Sequence, residues 1–207
     1  MDAVKKNNIS RLLALAVAFA GLLVIIGWIF DINVLKSIIP SWISMKFDTA
    51  VSFVLSGVNL YYIGRAKEGE FEKAQVALSI STLILLLLMG VLFFSSLFGI
   101  RTGVEDLFVK EAAGAVKSVF PGRPSVPTML NFLLIALAGI LTIMNADGMR
   151  AKHKTIGLTM AAIGSLAVFG YVINIPILYY YVEGLNSAMA CHTAVLFVLL
   201  GTGLACL

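Results

Sequence analysis

The chain is 207 residues long, 60% hydrophobic and only 13% charged, with a formal net charge of +4 and a mean hydropathy of +0.99. A soluble domain carries about a quarter charged residues, so these values exclude one, and the apolar residues fall in runs near the ~20 that cross a bilayer. The basic isoelectric point, near 9.1, does not indicate nucleic acid, because the basic residues sit in short loops between apolar runs and read as topology signals. Cys191 and Cys206 lie near opposite ends of one predicted helix and cannot pair within it. No disulfide framework and no zinc spacing follow from them.

The first ten residues are polar and lack the small-residue cleavage site of a removable signal peptide. The first helix is expected from about Leu12 to Phe30. A link containing Pro40 and Trp42 follows, and both Trp42 and Trp28 suit an interfacial belt. Asp48-Thr49 reads as a helix start, where a side-chain oxygen meets orphan backbone N–H groups, and the second helix runs to about Gly64. After the charged turn Arg65 to Lys73, the third helix spans about Val76 to Ile100. The longest link, Arg101 to Pro127, has apolar residues at mixed helical spacing over Val104 to Val119, and a short interfacial helix is expected there. The fourth helix spans about Thr128 to Met144 and the fifth about Thr155 to Ile173. A link holding Tyr179, Tyr180 and Tyr181 leads to the sixth, from about Met189 to Leu207.

Met45, Thr49, Ala50, Val51, Phe53, Val54, Leu55 and Gly57 reappear in the same frame as Met189, Thr193, Ala194, Val195, Phe197, Val198, Leu199 and Gly201. A weaker copy sits at Thr128, Asn131, Phe132, Leu133 and Ala136. Thr, Phe four residues on and Gly or Ala four further share one helical stripe. The run Gly27 to Leu35 also matches Gly170 to Leu178, apart from Asn33 against Pro176, and Leu97 to Ile100 is the counterpart in the second copy. The sequence therefore predicts one all-α integral membrane domain over 1–207, with six transmembrane helices as three repeated helix pairs: 12–64, 76–146 and 155–207. Positive charge per loop length favours both termini in the cytoplasm. Gly201 to Leu207 ends inside an apolar helix, so a cytoplasmic segment is expected beyond it.

The repeated stripe, the run from Gly170 through Ile175-Pro176 to Tyr179, and Pro121-Gly-Arg-Pro-Ser-Val-Pro127 resemble one group over nearly the whole chain. That group is the N-terminal multi-helix membrane input regions of prokaryotic sensor histidine kinases and diguanylate cyclases, usually followed by PAS modules. The resemblance implies a non-enzymatic sensory module in the inner membrane of a prokaryote. Its output would be a kinase or cyclase after Leu207, and it would form a homodimer through those output domains. It implies no particular ligand. The second copy departs from the pattern at Pro127 and Met129.

No nucleophile-and-base pair, phosphate loop, carboxylate dyad or metal set appears, and the sequence leaves any other cofactor open. Asp48 and His192 occupy matched helix starts, flanked by Trp28, Asp31, Tyr171, Asn174 and Tyr179, with Thr128 and Asn131 from the second copy. Packed about a common axis, these nine would converge on one outer vestibule for a small molecule, a lipid or a proton. Each also has a plainer reading: cap, interhelical hydrogen bond or interfacial anchor. A small transporter or channel remains the alternative to a sensor, although transport usually places polar groups near the midplane.

Overall fold

The computed structural model describes residues 3–39, 41–111 and 116–207, with side chains from Lys5 onward. Pro40 and the middle of the longest link, 112–115, lie outside the described residues. The protein is all-helical, and its single β-bridge among the described residues joins Val182 and Asn186. Six long helices follow in chain order: α1 (Ala3–Ile29), α3 (Phe47–Lys67), α4 (Phe71–Leu97), α5 (Val126–Ile143), α6 (Met149–Val172) and α7 (Cys191–Cys206). A single turn, α2 (Asn33–Lys36), lies between the first two.

Four of these helices are long and apolar enough to cross a membrane: α1, α4, α5 and α6. The other two differ for physical reasons. α7 has 16 residues, about 24 Å of helix. α3 has 21 residues but carries Asp48, Ser52, Ser56 and Asn59, which lowers its hydropathy. Every one of those four is buried, so α3 shows its polar groups to protein. The exposed large hydrophobics crowd instead onto α1, α4 and α6, among them Leu12, Phe19, Leu83, Phe94, Leu158 and Phe169.

Packing follows small residues. α1 lies on α3, α6 lies on α7, and α4 touches both α3 and α5. Gly21 abuts Ala50 and Val54, and Gly57 abuts Ala14 and Ala18. In the last pair Gly164 abuts Ala194 and Val198, and Gly201 abuts Gly157 and Ala161. At such contacts the missing Cβ lets two backbones approach, the means by which apolar helices associate without a hydrophobic driving force. In the middle of the bundle Phe53, Phe132 and Phe197 form a triangle, each pair of ring centroids 4.9 Å apart. All three rings are fully buried. Edge and tilted aromatic contacts of this kind add ~0.5–1.5 kcal/mol per pair beyond area burial.

The links sort to two ends. At the base, Lys67 Nζ donates to the Leu207 carbonyl, and Glu68 accepts from Asn7 and Arg11. At the cap, the links after α1, α4 and α6 meet: Lys46 reaches Glu111, Lys117 Nζ donates to Tyr179 Oη, and Ala188 N donates to the Lys117 carbonyl.

Helix starts differ from the sequence reading. The N-cap residues are Lys46, Ser125 and Ala190, and none makes a side-chain cap hydrogen bond. Asp48, Thr49, Thr128 and Thr193 therefore lie inside their first turns and cap nothing. The long link carries no extended interfacial helix among its described residues, only a 3-10 turn at Val104–Asp106. Its carboxylates are drawn inward, which a helix lying flat on the bilayer surface would not allow.

Candidate functional site

The cap is built from two buried ion pairs. Lys46 Nζ donates to both carboxylate oxygens of Glu111 at 2.6 Å and to Ser118 Oγ at 2.9 Å. Gly122 N adds a bond of 2.7 Å to Glu111. Gly122 has φ of 76°, and a Cβ there would overlap the Glu105 backbone, so the turn needs glycine. Arg123 pairs with Glu105, whose oxygens also accept from Ser95 Oγ at 3.1 Å, Thr102 Oγ1 at 3.3 Å and Gly103 N at 3.0 Å. Arg123 also donates to the Ile100 carbonyl at 2.6 Å.

These environments act on the charges. Burial pushes the Lys46 amine below the usual lysine range, while Glu111 opposes the shift. For Glu105 the largest influence, burial, pushes upward, but the Arg123 hydrogen bonds and charge, the local backbone and Ser95 outweigh it and hold the carboxyl at about 2. A carboxyl lowered from 4.5 to about 2 contributes roughly 3 kcal/mol of folded stability above pH 4.5. That contribution is lost as pH falls from 4.5 towards 2. The detergent-solubilised protein is accordingly expected to lose thermal stability over that range, and Glu105→Gln to flatten this part of the profile; an unchanged profile would contradict it.

Three carboxylates, Asp48, Glu105 and Glu111, line a cavity of about 10 Å³ with Lys46, Trp28 and Gly122. That is room for about one water. Asp48 is 3% exposed and its Oδ2 has no partner. Asp106 is paired with Arg101 at 3.3 Å. Asp48 is thus the carboxylate of this layer that no cation matches. No group of three or more His, Cys, Asp or Glu with metal-site geometry occurs among the described residues.

Beside this layer lies a larger cavity of about 380 Å³, lined by Trp28, Asn33, Lys36, Ser37, Trp42 and Ser44. The Trp28 Nε1 donates to the Met45 carbonyl at 2.9 Å and Lys36 Nζ stands 5.2 Å from its ring centroid. Across the cap, Tyr171 Oη donates to the Met189 carbonyl at 2.9 Å. Its ring stacks on Tyr179 at 4.3 Å and meets Trp42 at 4.8 Å.

The nine residues singled out from the sequence are therefore partly assembled. Trp28 and Asp48 share the small cavity. Tyr171 and Tyr179 join Trp42 in one aromatic row. Asp31 is exposed and bonded to Lys36 at 2.5 Å, and Asn174 is exposed; both have φ near 55°, as link-starting residues. His192 is half-buried with Nε2 unpartnered. Thr128 exchanges a hydroxyl bond of 2.8 Å with Ser125, and Asn131 is fully buried with both amide atoms unpartnered. Among the described residues, no hydrogen bond or ring contact ties these last three to the cavities.

The residues that sequence reading missed are Lys46, Glu105, Glu111 and Arg123. Their charges were visible, but Lys46 and Glu111 are 65 residues apart, and no local pattern announces such a pair. Comparisons of the chain with protein-family models, curated proteins and solved structures give no match.

Proposed function

We propose that the chain is the membrane-embedded sensory input module of a prokaryotic signal-transduction protein. Six helices cross the inner membrane as three repeated pairs, the cap faces outward and the base faces the cytoplasm. A stimulus received at the cap passes inward as helix movement. The observation that carries this reading is the concentration of recognition chemistry at one end. The aromatic row and both buried ion pairs gather at the cap, whereas α1, α4 and α6 present aliphatic and aromatic faces along their length.

Three repeated pairs are supported by contacts that recur at corresponding positions. Gly21 and Gly164 make like contacts, as do Gly57 and Gly201. Trp28 and Tyr171 bond to the Met45 and Met189 carbonyls at the same distance, and one phenylalanine from each pair meets its counterparts on the central axis. Spanning by α3 and α7 is supported by their interior places, since a helix sheltered by its neighbours needs less lipid-facing apolar surface. The orientation is supported by Arg65, Lys67, Lys73, Arg150, Lys152 and Lys154 at the base. A ligand can act only through unequal affinity for two helix arrangements.

Joining Leu207 to the helical linker of a diguanylate cyclase tests the reading. Cyclic di-GMP in cells is expected to follow some property of the external medium. Asp48→Ala and His192→Ala are expected to alter that dependence while folded yield holds. A folded chimera whose output is the same in every medium would contradict it. The runner-up class, a small transporter or channel, gains support from one feature, the buried polar stripe of α3.

A further inference from the structure

We propose that this stripe is a proton pathway between the two ends of the bundle, a property beyond sensory input. Asp48, Ser52, Ser56 and Asn59 fall at i, i+4, i+8 and i+11 and so share one face of α3. All four are buried, and each has an atom without a hydrogen-bond partner: Asp48 Oδ2, Ser52 Oγ, Ser56 Oγ and Asn59 Nδ2. Hydroxyls inside helices usually bond back to the carbonyl four residues earlier. Ser81 and Thr142 do so, to Ala77 at 2.8 Å and Ala138 at 2.9 Å. Ser52 and Ser56 do not.

The stripe continues across to α5. Asn59 Oδ1 accepts from Ser81 at 3.1 Å and Thr82 at 3.0 Å. Gly139 comes against this group, where a Cβ would overlap Thr82 and stand 3.1 Å from Asn59 Nδ2. One turn further towards the base, Thr142 lies 3.1 Å from His153 Nε2. That nitrogen also lies 3.2 Å from the Ala138 carbonyl, which can only accept, so it carries the hydrogen. Nδ1 is then the free base, buried and unpartnered. A cavity of about 310 Å³, lined by Lys67, Thr142 and Asn145, enters from the base and reaches Thr142. The small cap cavity touches Asp48 at the other end.

Length agrees with the idea. Asp48 to Asn59 spans about 16 Å of helix and Gly139 to Thr142 about 4 Å more. Together they cover about two thirds of a ~30 Å hydrocarbon core, and the two cavities open at either side. Each unpaired buried polar atom costs ~1–3 kcal/mol, and internal water is what normally removes that cost. Waters strung between these groups form a file in which each accepts one hydrogen and gives up another, so that only a proton is moved. It enters at the Asp48 carboxylate and leaves past Thr142 into the base cavity. Asp48 is faced by Lys46, Glu105, Asp106, Glu111 and Arg123; the three acids other than itself are matched by Lys46, Arg101 and Arg123. That leaves Asp48 as the exchangeable acid.

The test is proton entry into liposomes holding the purified chain and a trapped pH dye, driven by a potassium diffusion potential. Wild type and the control Glu183→Gln, an exposed acid off the stripe, are expected to admit protons at least ~10-fold faster than protein-free liposomes. Asp48→Asn is expected to return the rate to near background while eluting as the folded species. If Asp48→Asn does not fold, the double variant Ser52→Ala, Ser56→Ala takes its place, with the same loss expected. Wild-type flux at background, or flux unchanged in the folded variant, would overturn the pathway. Flux that follows a sodium gradient instead would overturn the proton as its cargo. The sensory reading stands or falls separately, on the cyclase output.

Discussion

Gly201→Leu is expected to abolish recovery of folded, monodisperse protein, whereas Gly90→Leu is expected to leave it unchanged. A Cβ at position 201 would meet the Gly157 carbonyl, Ala161 N at 2.6 Å and Ala161 Cα at 3.1 Å. All are backbone atoms of α6 and cannot swing aside. The whole α6–α7 contact would have to open, and with it the Phe197 corner of the central triangle. Overpacking a tight core usually costs ~1–3 kcal/mol and more when backbone must move. Gly90 has nothing within 4 Å of its would-be Cβ. The alanine variants make a sharper comparison, because Gly→Ala inside a helix normally stabilises by about 0.5–1 kcal/mol. Gly90→Ala should raise the melting temperature and Gly201→Ala should lower it. Equal effects at the two positions would mean that α6 and α7 do not approach as described.

Arg123→Ala is the second large effect. Arg123 and Glu105 have side chains 3% and 1% exposed, and removing one partner of a buried pair leaves the other charge uncompensated, at a cost of about 3–5 kcal/mol. Glu105 keeps Ser95, Thr102 and Gly103 N as donors, which places the expectation near the lower end of that range. Because the pair fastens the long link to the end of α4, the loss should appear first as protease cleavage between 101 and 125, before global unfolding. Replacing both members by leucine should recover much of the stability, since a well-packed apolar pair can equal a buried ion pair. A double variant no better than Arg123→Ala would show that geometry, and not the stranded charge, sets the cost.

The helices were legible because each apolar run is long; their ends shifted by several residues, as α1 begins at Ala3 and α6 at Met149. The aligned phenylalanines 53, 132 and 197 were legible as a stripe, and they do meet. The glycines of the same stripe, Gly57 and Gly201, fall at close helix contacts. Asp48 was readable as important but not in its part: the helix begins at Phe47, which moves Asp48 from a capping position into the first turn, facing the Glu105 layer. The ion pairs of the cap were not legible, because partners 65 and 18 residues apart are brought together only by packing. The same holds for the Asn59, Thr82 and Gly139 junction, where three helices contribute one group each.

Sidedness tests the central claim, a bundle that spans the membrane with its cap outside, most directly. Cys191 and Cys206 are replaced by serine, and single cysteines are placed at the exposed positions Glu183 and Asp31 of the cap and Lys73 and Lys152 of the base. A membrane-impermeant maleimide applied to intact spheroplasts is then the probe. Labelling at 183 and 31 without permeabilisation, and at 73 and 152 only after it, is the result predicted. Labelling of all four from one side, or of the base positions from outside, would contradict it.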